Sequence, residues 1–230
     1  MKKNILLIGG SHGIGFEMAK TLMEENTVYI ASRTNEEIEN LGANHISFDA
    51  KTDLLDQNQL PEEIHGFAYC PGSINLKPFK MLSVDTFKED MHLNFFSLVN
   101  VVKTIIPRMA EGSSMVFFST VAVGTGMPFH TSVAAAKGAI EGFAKSMAAE
   151  YAPKIRVNTI APSLVDTSLA KRLLNNDKKK ELMSERHPLK RYGEKADIAN
   201  LAVFLLSEKS TWITGQILGV DGGMSTLNVN

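Results

Sequence analysis

The sequence predicts a single three-layer α/β domain over residues 1–230, a doubly wound parallel sheet with helices on both faces. Short apolar runs closed by turn residues alternate along the chain with segments of helical period. The 230 residues, 44% of them hydrophobic, suffice for one core on each side of a sheet. Neither a low-complexity linker nor an internal repeat divides the chain.

The elements follow in order. "NILLIGG" reads as the first strand; its apolar run ends at Gly9 and Gly10 with no small-residue cleavage site after it, unlike a signal peptide. The turn "IGGSHGIG" leads into "GFEMAKTLMEE", where Phe16, Met18, Ala19 and Leu22 give a helical apolar face. "TVYIASR", "HISFDA", "GFAYCPG" and "SMVFFSTVAVG" are the next strand candidates, with helix-like segments between most of them. An alanine-rich helix, Ala134 to Ala149, precedes the strand "IRVNTIAP". The polar stretch from Ser168 to Lys195 then reads as an insertion, a lid in which Lys178, Lys179 and Lys180 form a solvated helix face. "GQILGVDGG" supplies the last strand.

Composition narrows the chemistry. A formal net charge of −1 with both signs interspersed offers no surface for nucleic acid or an anionic membrane, so a small-molecule substrate is expected. The single cysteine, Cys70, excludes an internal disulfide and a cysteine-rich metal site, so no metal is expected and a reducing, cytoplasmic setting fits. No apolar run approaches the length of a membrane span.

Between the first strand and the first helix, Gly9, Gly13 and Gly15 are spaced to aim backbone N–H groups at a phosphate. At the end of the second strand, where an acidic residue accepts the ribose 2′-hydroxyl of NAD, stand Ser32 and Arg33. A guanidinium there pairs well with a 2′-phosphate, and His12 offers a second donor, so NADP(H) is expected over NAD(H). The alternative is that Arg33 is a solvated strand end.

These motifs together resemble the short-chain dehydrogenase/reductase family along nearly the whole chain. The turn is similar to the family's TGxxxGxG with Ile8 for the threonine, "FDAKTD" to its adenine-contact segment, and "YCPG" to its NNAG, with Gly72 kept and Tyr69 and Cys70 replacing the asparagines. "HLNFF", "VNTIAPSLVDT", with Ser163 where glycine is usual, and "WITGQILGVDGG" extend the likeness. The resemblance implies a Rossmann fold. It also implies cofactor contacts at Gly9, Ser11, His12, Gly13, Ile14 and Gly15 in the turn and at Asp49 and Ala50 for the adenine. Gly72, Lys137, Pro162, Val165 and Thr167 would complete them. It further implies a homo-dimer or homo-tetramer seam on the alanine-rich helix.

In that family a tyrosine four residues before the lysine exchanges the substrate proton, and a serine thirteen residues before the tyrosine binds the carbonyl oxygen. By position Lys137 matches the lysine, Asn94 the asparagine that holds a relay water, Thr120 the serine, and Val133 the tyrosine. An isopropyl group transfers no proton. Thr120 keeps a hydroxyl that binds an oxyanion or merely caps a strand end. His130 stands at i−3 from Val133 and i−7 from Lys137, either a substitute acid on the helix face or a loop residue facing water. Two functions follow: an NADP(H)-dependent carbonyl reductase or alcohol dehydrogenase with a non-standard proton donor, or an NADP(H)-binding sensor or oligomer partner without turnover.

Overall fold

The computed structural model describes residues 2–228. Among them, seven parallel strands form one sheet in the order β3-β2-β1-β4-β5-β6-β7. The strands are β1 (Asn4–Ile8), β2 (Thr27–Ser32), β3 (Asn44–Ser47), β4 (Ile64–Tyr69), β5 (Met109–Phe118), β6 (Ile155–Pro162) and β7 (Ile217–Val220). The doubly wound α/β expectation holds. "SMVFFSTVAVG" is corrected at both ends: the strand begins at Met109 and stops at Phe118, because Val121 to Gly126 turn into a short helix.

Alternation along the strands builds two cores. In β1, Ile5 and Leu7 face one layer while Leu6 and Ile8 face the other, all four at most 2% exposed. Ile5 and Leu7 pack with Met18, Ala19 and Leu22 of α1 (Gly13–Leu22) and with Ile198, Ala202 and Leu205 of α7 (Lys195–Leu206). Leu6 and Ile8 pack with Leu98, Val102 and Ile105 of α3 (Ser97–Ile105) and with Ile140, Ala144 and Ala148 of α5 (Thr131–Tyr151). Both faces are covered, which is why the central strands are continuously apolar rather than alternating with polar residues. Near the lower end of the sheet, Arg156 of β6 donates to the carbonyls of Leu205, Ser207 and Ser210, holding a cation at the C-terminus of α7.

The order of strands reverses between β1 and β4, and the crevice beyond their carboxyl ends is where open α/β sheets take ligands. Around it gather the turn after β1, the Cys70–Gly72 turn after β4, and the ends of β5 and β6. Met183 of α6 (Asp177–Glu185) borders it, α2 (Val84–Met91) packs against α5, and α4 (Ala122–Thr125) is the short helix after β5. Among the described residues no helix is long and apolar enough to cross a membrane.

Candidate active site

The turn after β1 is shaped for close approach. Gly9 and Gly13 hold left-handed φ values of 76° and 61°, which glycine adopts without strain. At Gly15 the obstacle is space: a Cβ would stand 2.8 Å from the Gly9 carbonyl oxygen and 2.9 Å from Gly10 Cα. Helix α1 starts at Gly13 with no side-chain cap on its first amides, leaving N–H donors directed into the crevice. This cradle fits a dinucleotide pyrophosphate. Ser11 is buried in the turn, and Ile14 lines the cavity beyond it.

At the end of β2, Arg33 is exposed and Ser32 is buried. His12 leans to the same place, its Nε2 3.1 Å from Thr34 Oγ1 and its Nδ1 3.1 Å from a Glu37 carboxylate oxygen. Glu37 qualifies the expectation built on a strand end free of acids, since a carboxylate four residues on reaches the histidine. Asp49 and Ala50 follow β3 in a half-buried turn, where the Lys51 N–H donates to Asp49 Oδ1 and the Asp49 N–H to Asp53. Asp49 therefore hydrogen-bonds within its own turn.

Lys137 is the center of the site. One turn into α5 from Val133, it is buried, and Nζ donates to the Phe118 carbonyl at 2.9 Å. Burial pulls its pKa from the ordinary 10.5 to about 8, with Cys70 and Asp90 opposing the shift. Where a Cβ on Gly72 would stand, Lys137 Nζ lies at 3.3 Å and Asn94 Oδ1 at 3.4 Å. A side chain there would crowd the amine and the amide oxygen, which converge on the space that the glycine leaves open. Asn94 Oδ1 finds no hydrogen-bond partner among the described residues although fully buried, whereas its Nδ2 donates to Ser73 Oγ and to the Asp90 carbonyl. A turn of π-helix, His92–Phe96, sets the asparagine there, a distortion that often marks functional positions in helices.

Asp90 is a residue the sequence reading missed. It is 1% exposed, and its carboxylate accepts from Ser73 Oγ, Asn75 Nδ2 and Ser132 Oγ. Through Ser73 it orients Asn94, and through Ser132 it anchors the start of α5 beside Val133. Its position four residues before Asn94, one helical turn away on the same face, was the available signal.

Val133, Thr120 and His130 line one cavity of about 260 Å³ together with Lys137. Val133 is buried, and no phenol lines this cavity among the described residues. Thr120 Oγ1 accepts the Ala122 N–H at 3.3 Å, so the hydroxyl caps the turn while also facing the cavity. His130 is neither wholly in the loop nor in the helix: it is the N-cap of α5, its carbonyl accepting from Ala134, and its Nδ1 bonds the Pro128 carbonyl. The helix begins at Thr131, three residues before the predicted Ala134. Tyr69 leaves the site altogether; it is 2% exposed and its hydroxyl donates to the Leu93 carbonyl within the core. Gly72, Pro162, Val165 and Thr167 line the cavity. The Thr167 methyl lies 3.8 Å from a would-be Cβ on Gly13. Within the 168–195 stretch Lys178, Lys179 and Lys180 are exposed, while Leu169, Leu173 and Met183 face the cavity with apolar surface.

The chain is similar along nearly its whole length to known proteins. A family model described as enoyl-(acyl carrier protein) reductase matches residues 9–225. A 3-oxoacyl-[acyl-carrier-protein] reductase of Chlamydia muridarum is 32% identical, with 98% of each chain covered. A protein of Xanthobacter autotrophicus named inactive 2-(S)-hydroxypropyl-CoM dehydrogenase 2 is 36% identical over 63% of this chain and 66% of its own. Among solved structures, a gluconate 5-dehydrogenase from Burkholderia cenocepacia, in complex with NADP and tartrate, superposes with a TM-score of 0.87. It is 25% identical and covered to 97%, with 99% of this chain matched.

Proposed function

The chain belongs to the short-chain dehydrogenase/reductase family, and from that premise we propose that it is an NADP(H)-dependent oxidoreductase interconverting a carbonyl and an alcohol without the usual phenol. The observation that carries this reading is the convergence of Lys137 Nζ and Asn94 Oδ1 on Gly72, beside the cavity and across from a glycine cradle that admits a pyrophosphate. A bound dinucleotide would supply the hydride, and the chain must supply position and a proton.

Lys137 holds the ribose hydroxyls, and its lowered pKa lets the amine release a proton near neutrality. Thr120 donates a hydrogen bond to the oxygen as charge builds on it. Asn94 Oδ1 accepts from a water, which in turn reaches Lys137. Arg33 takes the 2′-phosphate with His12 beside it, the latter after leaving Glu37. The apolar faces of Leu169, Leu173 and Met183 suit a carbonyl compound with an apolar body, held under the 168–195 stretch as a lid. The protein would act in the cytoplasm as a homo-oligomer joined through α5.

Val133 favors a second reading, an NADP(H)-binding protein with no turnover, since loss of a positioned general acid typically forfeits roughly 10²–10⁴ in rate. Carbonyl-dependent NADPH oxidation over a panel of ketones and aldehydes separates the two. Turnover above the enzyme-free rate supports the oxidoreductase; tight NADPH binding with a silent panel supports the binding protein.

A further inference from the structure

The 168–195 stretch returns to the sheet at a fixed point. Val165 pairs with Gly193, the Gly193 N–H donates to the Leu164 carbonyl, and the Leu189 N–H donates to the Gly222 carbonyl. Two residues before the last of these ties lies His187, 2% exposed, with both ring nitrogens engaged. Nδ1 lies 2.8 Å from the Met183 carbonyl oxygen, and Nε2 lies 2.8 Å from Ser163 Oγ. A carbonyl only accepts, so Nδ1 carries the hydrogen, and in the neutral ring Nε2 accepts from the serine hydroxyl. This is a hydroxyl bonded to an imidazole whose far nitrogen is held by a third group, the arrangement that moves protons at many active sites.

Both side chains line the same cavity as Thr120, Val133 and Lys137. Thr120 and Ser163 leave neighboring strands side by side, because the Val121 N–H donates to the Pro162 carbonyl at 3.1 Å. Asp221, across from His187 in the loop after β7, adds a carboxylate that gains from a positive ring: burial opposes its ionisation, but contacts with Ser225, the Gly223 N–H and the charge of His187 hold its pKa below the usual carboxylate range.

We propose that Ser163, backed by His187, is the proton source for the substrate oxygen in place of the phenol that Val133 lacks. The inference rests on the oxidoreductase reading above. With the ring protonated, Nε2–H donates to Ser163 Oγ and frees the serine's own hydrogen for the cavity. As hydride reaches the carbonyl carbon and the C=O π pair moves onto oxygen, that oxygen takes the Ser163 proton. Ser163 Oγ takes the Nε2 proton at the same time, and the ring is left neutral. Water reprotonates it between turnovers. Ser163 is the catalytic residue and His187 the positioning residue that acts through it.

Two measurements test this. Nitrogen-15 NMR of the native protein, with the His187 signals identified by their loss in His187→Gln, should show that whenever the ring is neutral its hydrogen sits on Nδ1 and its bare Nε2 shifts in Ser163→Ala, and that at lower pH the ring takes a second hydrogen on Nε2. A hydrogen on Nε2 in the neutral ring would overturn the assignment without reference to activity. In the kinetic arm, Ser163→Ala should keep NADPH affinity, read by fluorescence, and substrate KM within about threefold while kcat falls about a hundredfold or more. Adding Val133→Tyr to Ser163→Ala should restore kcat, a far larger gain than Val133→Tyr gives in the native protein; equal gains in the two backgrounds would mark the serine as merely structural. Ser163→Ala turning over like the native protein overturns this inference alone; a native protein silent on every carbonyl while binding NADPH overturns the oxidoreductase reading and the inference with it.

Discussion

At Lys137, burial and chemistry pull in opposite directions. The ammonium is buried among Phe118, Gly72 and Asn94, where the proposed function needs it for a ribose and a proton, and desolvation draws its pKa to about 8. A lysine whose folded value lies below its unfolded one binds fewer protons than the unfolded chain between those two values. Stability therefore rises as pH climbs from about 8 toward 10.5, and below 8 the full penalty is present. Lys137→Met removes the charge and one hydrogen bond. At pH 7 it should unfold at higher denaturant than the native protein, with a gain of about 2 kcal/mol after the lost bond is discounted, and the gain should vanish near pH 10.5. Denaturant unfolding at the two pH values checks this. Arg33 is exposed at the end of β2, where the proposed reading puts a 2′-phosphate. Arg33→Asp should weaken NADPH at least tenfold and leave NADH unchanged or improved, as measured by fluorescence titration; equal loss for both cofactors would make Arg33 a plain solvated side chain.

The turn between β1 and α1 separates two reasons for glycine. Gly13 needs a left-handed φ but has open space, its nearest neighbor 3.8 Å from a would-be Cβ, whereas Gly15 has an ordinary φ and no space. Gly13→Ala should cost about 1 kcal/mol in strain and leave a folded protein. Gly15→Ala should be more destabilising, because the Gly9 carbonyl must move, and should abolish NADPH binding; thermal unfolding with and without NADPH compares them. This element was legible in advance, since a glycine pattern between an apolar run and an amphipathic segment constrains backbone directly. Lys137 and Asn94 were legible by resemblance. Asp90 left only a faint signal, its place one helical turn before Asn94, because it takes the fold to turn that aspartate inward against Ser73 and Ser132. His187 was hidden for a different reason. It lies in a stretch without apolar period, and its partner Ser163 is joined to it only when Gly193 returns to Val165. The pairing of Glu37 with His12 was likewise a matter of three dimensions, formed by a side chain five residues beyond β2.

For the molecule as a whole, the sheet order places every candidate group at one end. The reversal between β1 and β4 opens the crevice, α1 presents its N-terminus there, and β5 and β6 end beside it with Thr120 and Ser163. Because the pocket draws on both halves of the sheet, a bound dinucleotide ties them together. At a hundred times its dissociation constant NADPH should stabilise the fold by about 2.7 kcal/mol, a rise in Tm on the order of 5–10 °C for a domain of this size. Differential scanning fluorimetry with NADPH and NADH reads it, and a larger rise with NADH would reverse the cofactor assignment.

The most direct test of the account is the rate of carbonyl-dependent NADPH oxidation in the native protein beside Val133→Tyr. The account predicts measurable native turnover and only a modest further gain in kcat when the phenol is supplied four residues before Lys137, since Ser163 already supplies the proton. A native protein no faster than buffer, with activity appearing only in Val133→Tyr, would contradict it and leave a dinucleotide-binding protein that lacks the last step.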